Sequence, residues 1–545
     1  MKSLPLYLAL SATAFSFAVS ALSVGAQSDD PLAAGFRSPP DSARPETWWH
    51  WMNGNITAAG IDADLHAMKD IGLGGATIVN VDCGIPAGDT PFMGSAWRDR
   101  LKQAVQTANT LGLELCIENC AGWSSSGGPW NTPENAMQRV TTSEVRVTGP
   151  AELDQGLPQP ATKLDFYRDV AVLAFPADPT EGENRMAAAH PTVTASAATE
   201  AAQNLLQPGN RVEVRLPLPK KHQAEFVQIT FAEPFAARTV TLTPGQTMPD
   251  CKGAVEVSDD GTHFRTLQPF DFSHKASALR LISLGDQPVS ARFWRIAFTG
   301  VSGKPKTGYL PLREIGLNAR QSIDNVQAKD GSNGNFTLSA DAPNPGGPVA
   351  GAVGLASIVD LTAKLAPDGR LHWSVPAGDW VILRVGYTPT EVHNHPAPAA
   401  GDGLECDKFS TAALDAHWNG FMQKILDDLG PLGGKTLNCS LIDSYEVGGQ
   451  NWSGNFRAEF KQRRGYDPVK YLPAFTGRVV ENPAVSERFL WDIRRTIADL
   501  FAEKYFQHFA DLCRQHGLLN AVEPYTGPFE SLQCGKPADV VMGEF

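Results

Sequence analysis

The chain is 545 residues long, with a formal net charge of −13, 19% charged side chains and 42% hydrophobic ones. That length exceeds what one hydrophobic core usually serves, so two domains are expected, and the composition is that of a globular protein rather than a disordered or membrane-embedded one. The negative charge argues against a nucleic-acid partner and suits a neutral ligand.

The first residues read as an address. Lys2 supplies a positive charge, Leu4 to Val24 form an apolar stretch, and Val24-Gly25-Ala26 fits the small-residue rule for signal-peptidase cleavage. Residues 1–26 are therefore expected to be removed as the protein is exported to the periplasm or beyond. No later segment is apolar for long enough to span a bilayer. The eight cysteines in so long a chain do not make a disulfide scaffold, although a bridge or two is compatible with export. Cys116 and Cys120 have no matching second pair and read as buried strand and loop residues rather than zinc ligands. His393-Asn394-His395 reads as a surface turn before Pro396.

After a Pro-rich leader, Trp48 to Met52 is the first strand. Asn53-Gly54-Asn55 turns the chain, Thr57 can cap, and Ile61, Leu65, Met68 and Ile71 recur at helical spacing. Ala76 to Val81 is a second strand ending in Asp82, Trp97 to Leu111 a helix, and Leu113 to Asn119 a third strand. This rhythm means parallel strands with right-handed crossovers. The loop AGWSSSGGPWNTPENA from Ala121 to Ala136 sets Trp123 and Trp130 among serines and glycines. Such residues could offer a sugar ring a face to stack on and hydroxyls to bond, or could plug the top of a barrel. Thr132-Pro133-Glu134 reads as a helix start.

From residue 143 to 375 the periodicity alternates and helices are lost, which marks an all-β insertion. Strands are expected at Ser143 to Val147, Val170 to Phe175, Arg211 to Leu216 and Thr239 to Leu242, with a mobile loop over Ala187 to Ala202. The run Val255 to Gly261 followed by Phe264, together with Ala291 to Ile296, resembles the paired signature of galactose-binding jelly rolls. Residues 376–545 then return to the first pattern. Trp380 to Tyr387 reads as the fourth strand, Leu437 to Asp443 as the fifth, Leu518 to Val522 as the sixth and Val540 to Gly543 as the seventh. Ala412 to Leu429 reads as an amphipathic helix, Asn455 to Phe475 as a basic one, and Ser486 to His516 as a long helix capped by Ser486. The expected architecture is a (β/α)8 TIM-like barrel interrupted by a β-sandwich, with the first part of the barrel at 27–142. An eighth strand has no counterpart in the sequence, so a truncated chain is expected.

Strand ends in such a barrel carry the chemistry. LNCSLIDSYEVGGQNW, Leu437 to Trp452, ends an apolar run in Asp443, Ser444, Tyr445 and Glu446; Asp443 as a helix cap and Glu446 as a solvated loop residue is the plain alternative. Glu405 follows the fourth expected strand, Glu523 the sixth and Glu544 the seventh. Inverting glycoside hydrolysis needs a protonated carboxyl near the leaving oxygen and a carboxylate activating water, about 6.5–9.5 Å apart, which different strand ends can supply.

Four ordered blocks resemble glycoside hydrolase family 106, the α-L-rhamnosidases: WWHWMNGNIT from Trp48, ENCAGWSSSGGPWNTPENAM from Glu118, GLECDK from Gly403 and DSYEVGGQNW from Asp443. The resemblance implies an exported, calcium-dependent, inverting exo-hydrolase of terminal L-rhamnose. It implies Glu446 as the acid and Glu544 as the base, with Glu523 competing for either role or binding substrate or metal. Trp49, His50, Trp123, Trp130, Asp443, Tyr445 and Trp452 are the candidate sugar contacts, and Glu405, Asp443 and Glu523 the candidate calcium ligands. The reading from another class is a non-catalytic carbohydrate-binding protein, or an inactive fragment of such an enzyme.

Overall fold

The computed structural model describes residues 30–178, 185–197, 202–207, 212–245, 247–272, 280–285, 287–332, 349 and 351–543. The expected leader and Glu544 lie outside the described residues. Six strands lie side by side, all parallel and in chain order: β1 (Glu46–Met52), β2 (Gly75–Val81), β3 (Glu114–Glu118), β4 (Leu437–Ile442), β5 (Leu519–Val522) and β6 (Val540–Val541). Among the described residues β1 and β6 do not pair, so the sheet is open rather than a closed barrel.

Alternation along β1 decides what each aromatic does. Trp49 and Trp51 are buried, whereas Trp48 and His50 are exposed on the opposite face. Trp51 meets Trp49 and Trp97 edge-on, at 5.5 and 5.6 Å between ring centroids. Helix α1 (Ala58–Asp70) starts where Thr57 accepts the Gly60 N–H, and it buries Ile61, Leu65 and Met68 in the same core. Helix α2 (Ser95–Leu111) adds Trp97, Leu101 and Val105, and stops at Gly112, whose φ of +67° ends the helix in the left-handed conformation that glycine favours. Each large apolar side chain so buried contributes about 1.5–3 kcal/mol.

The expected fourth strand is not part of this sheet. Trp380 to Tyr387 is the second half of a strand at Arg370–Pro389, antiparallel to Gln138–Gly156 on one side and Arg168–Pro176 on the other. It reads as a buried parallel strand because both its faces are covered. Val381, Leu383 and Val385 enter the main core, while Ile382 joins Trp373 and Val375 in a smaller one. The insertion therefore runs through Pro389 and is two β units, not one. Its ends form this small sheet, from which a pair of antiparallel sheets branches. One holds Cys251–Ser258 and Val289–Val301, with Val255 opposite Ile296; the other holds Thr239–Pro244 and Tyr309–Asn318. They share a core containing Phe231, Val255, Trp294 and Phe298.

Other differences are local. Thr132-Pro133-Glu134 leads only to the short turn Pro133–Asn135 before the strand at Gln138. The amphipathic stretch breaks at Phe421 into α3 (Thr411–Gly420) and α4 (Met422–Leu429). The basic helix, α5, is only Phe456–Arg464. The long helix α6 (Pro483–Leu500) is capped by Asn482, which accepts from Val485 N–H, while Ser486 is buried and donates its hydroxyl to Val480 O. Within Ala187 to Ala202, Thr192–Ala195 is a strand paired with Glu225–Ala237; of the Arg211 to Leu216 run, Arg211 lies outside the described residues.

Candidate active site

Three neighbouring strands of the parallel sheet end in acids: Glu118 closes β3, Asp443 follows β4 and Glu523 follows β5. Register places them together, because Leu441 lies beside Glu118 and Ile442 beside Val522. Glu118 is 1% exposed and Glu523 3% exposed. Both Glu118 oxygens are buried, and no hydrogen-bond donor reaches them among the described residues. Burial, then the Asp443 carboxylate within hydrogen-bonding reach, then the Glu523 charge, hold the Glu118 carboxyl well above the usual carboxylate range. Burial beside these carboxylates thus favours the protonated form of Glu118. Asp443 also accepts from Ser444 N–H at 2.5 Å, and Tyr525 donates its hydroxyl to Glu523 Oε2.

Glu446 stands at the rim, 42% exposed, with His395 Nε2 3.9 Å from its Oε2. Ser444 Oγ lies 3.4 Å from its Oε1, and its backbone N–H points to Ser124 O. Trp123 is partly exposed on the same loop, and its N–H donates to His395 O at 3.1 Å. His395, read from the sequence as part of a plain turn, is thereby placed beside the expected acid. Glu118, which the sequence showed only as the end of a strand, is likewise a member of the site; its signal was the one it shares with Glu523, an acid at the end of an apolar run.

Several of the expected contacts pack against other side chains. Trp49 donates Nε1–H to Asp64 of α1 at 3.0 Å and belongs to the helix-facing core. Trp130 stacks on Phe421 with a 4° interplanar angle and donates to His417 Nδ1, whose Nε2–H donates to Asn119 O. Burial pushes His417 down to about 3, so it stays neutral and serves as a fixed strut. Trp452 packs on Phe456 at 4.8 Å. Tyr445 is 5% exposed, edge-on to Phe501 and Phe529. His50 remains exposed on the face opposite α1.

Glu405 is also removed from the list of free acids. It is fully buried with Lys408, whose Nζ donates to it at 2.6 Å, and it accepts from Ser124 Oγ and Ser126 N–H at 3.1 and 2.9 Å. This ion pair pins the loop that carries Trp123. Among the described residues no group of three or more His, Cys, Asp and Glu side chains is placed to hold a metal ion. Of the expected calcium ligands, Glu405 is held by Lys408, while Asp443 and Glu523 stand at adjacent strand ends. All eight cysteines are free thiols, with Cys116 and Cys120 buried as expected.

A sequence model of a family described as alpha-L-rhamnosidase matches residues 37–545. The chain belongs to glycoside hydrolase family 106. The structure of a rhamnosidase from Novosphingobium sp. PP1Y superposes with a TM-score of 0.79 at 29% identity, over 93% of this chain and 48% of that one. A Formosa agariphila protein named "Putative beta-glucuronidase" is 37% identical over 514 residues, which is 94% of this chain and 32% of the relative. This family 106 chain thus spans about a third of the curated relative and about half of the solved rhamnosidase.

Proposed function

We propose that the protein is an exported exo-hydrolase of terminal α-L-rhamnosides, working with inversion through a barrel of which the parallel sheet is the larger part. The observation that carries this reading is the buried acid group Glu118, Asp443 and Glu523 at adjacent parallel strand ends, with Glu446 above it. Glu446 would give its proton to the leaving glycosidic oxygen as the bond to the anomeric carbon breaks. Glu544, one residue beyond Gly543, would take a proton from the water that attacks the opposite face. Asp443, beside the buried Glu118, would bond sugar hydroxyls.

The name of the Formosa agariphila relative raises a glucuronoside as the competing substrate. The groups around Glu118 and Glu446 are carboxylates, a hydroxyl and an imidazole, and Lys408 is spent on Glu405. That negative set suits a neutral deoxysugar and repels a uronate. Glu446→Gln is expected to lower turnover of a rhamnoside with a poor leaving group by about 10²–10⁴ with binding kept. Activity within a few-fold of wild type, or faster cleavage of aryl glucuronide than of aryl rhamnoside, would sink the assignment. The calcium dependence implied by the family is checked by chelation and add-back, where rescue by zinc but not calcium would contradict it. Export is checked by sequencing the mature N-terminus, expected at Gln27.

A further inference from the structure

Away from the strand-end acids, a cleft of about 330 Å³ opens between the small antiparallel sheet and the helices α3 and α5. Its size is at the small end for ligand pockets, about 300–1,000 Å³. Neither Glu118, Asp443, Glu523 nor Glu446 lines it.

One wall is aromatic. Phe166 and Tyr387 face the cleft with ring centroids 6.2 Å apart, and Arg168 lies over Phe166 at 4.5 Å, which fixes that ring. The rest is polar and rich in acceptors. Asp407 is 4% exposed and held in place by Phe409 N–H, Gln450 Nε2 and Ser453 Oγ. Gln138 lines the cleft at 1% exposure; its Nε2 donates to Pro133 O and Ala136 O, so the amide orientation is set. Its Oε1 is then a buried acceptor without a hydrogen-bond partner among the described residues.

Lys504 also lines the cleft and pairs with Glu459 at 3.2 Å, which leaves Asp407 and Glu134 as the acids an occupant meets; it has to bring hydroxyls and an apolar face without adding negative charge. A lone cation would leave the aromatic wall unused. We propose that this cleft is a second carbohydrate site that binds a single neutral pyranose ring, with its hydroxyls meeting the accessible polar lining at Asn135, Ser410, Thr411 and Asn455 and its C–H face on Phe166 and Tyr387. The site is independent of which glycoside the enzyme cleaves.

The test uses the full chain with methyl β-D-glucopyranoside and L-rhamnose as probes, binding being followed by saturation-transfer NMR and by crystals soaked in each sugar. Phe166→Ala is expected to weaken binding in the cleft by about three- to tenfold, the range for an aromatic contact. Tyr387→Phe, which keeps the ring, should weaken it less, and Glu446→Gln should leave it unchanged. Turnover of aryl rhamnosides should be the same in Phe166→Ala as in wild type. If Phe166→Ala fails to fold, Tyr387→Phe and the soaked crystals decide. Sugar found only at the strand-end acids, binding unaffected by both aromatic changes, or a divalent cation filling the cleft would each overturn the proposal.

Discussion

Two buried acids, Glu405 and Glu118, are alike in residue type and depth and opposite in purpose. Glu405 accepts from Lys408, Ser124 and Ser126, so its charge is matched and its lone pairs are used. Among the described residues Glu118 has no hydrogen-bond partner and lies beside the carboxylates of Asp443 and Glu523, so burial favours its protonated form. Burial alone therefore says nothing about role. A matched acid holds a loop, whereas an unmatched one is a candidate for chemistry.

The sharpest way to break this contrast is to remove Lys408. Lys408→Met leaves Glu405 buried without its cation and should cost about 3–5 kcal/mol, read as a lowered urea midpoint. A loss below about 1 kcal/mol would mean that the pair is not what holds the loop. Next, Glu118→Gln should leave stability at neutral pH equal or higher while turnover falls by about 10²-fold, the scale for a reacting group displaced by about 1 Å. Destabilisation without a kinetic effect would make Glu118 structural. Ser124→Ala, which removes one hydroxyl from the matched acid, should cost about 1.5 kcal/mol by the same denaturation assay.

The smallest effect is in the pH dependence. The folded Glu118 holds its proton above the unfolded value of about 4.3, so its favourable contribution is full below that value and is lost as pH climbs towards the folded pKa. Stability attributable to this group should decline by at most about 1.4 kcal/mol per pH unit through that window, and Glu118→Gln should flatten the decline. Identical pH profiles for the two proteins would show that Glu118 ionises in the folded state as it does in the unfolded one.

The sequence carried the parallel strands well, since β2, β3, β4 and β5 are short apolar runs bounded by turns and acids. It also carried Asp443, Glu523 and Glu446 as strand-end groups. What it could not carry was facing. Trp49 and Trp48 are adjacent letters, but the pleat sends Trp49 to α1 and leaves Trp48 exposed on the other side. Trp130 and Trp452 sit in polar loops, and only the tertiary arrangement shows Phe421 and Phe456 behind them. Trp380 to Tyr387 was misplaced for a different reason: two separate cores cover its two faces, which erases the alternation that marks an antiparallel strand. Glu405 was legible as an acid and its cation Lys408 is three residues on, but that the two are buried together, with Ser124 brought in from 281 residues away, shows only in the fold.

The small antiparallel sheet also governs the order of assembly. β3 ends at Glu118 and its neighbour β4 begins at Leu437, so 318 residues lie between strands that must pair side by side. Gln138 pairs with Pro389 and Gly156 with Arg370, a zipper that draws the two ends of that excursion together. Closing a loop costs entropy that grows only as the logarithm of its length, so the zipper turns one very long closure into several shorter ones. The sandwich, with its own core, can condense inside that loop while the zipper forms. The carboxylates of β3 and β4 are therefore a non-local contact whose loop-closure cost the zipper lowers, so the acid cluster depends on an insertion that contributes none of its three carboxylates.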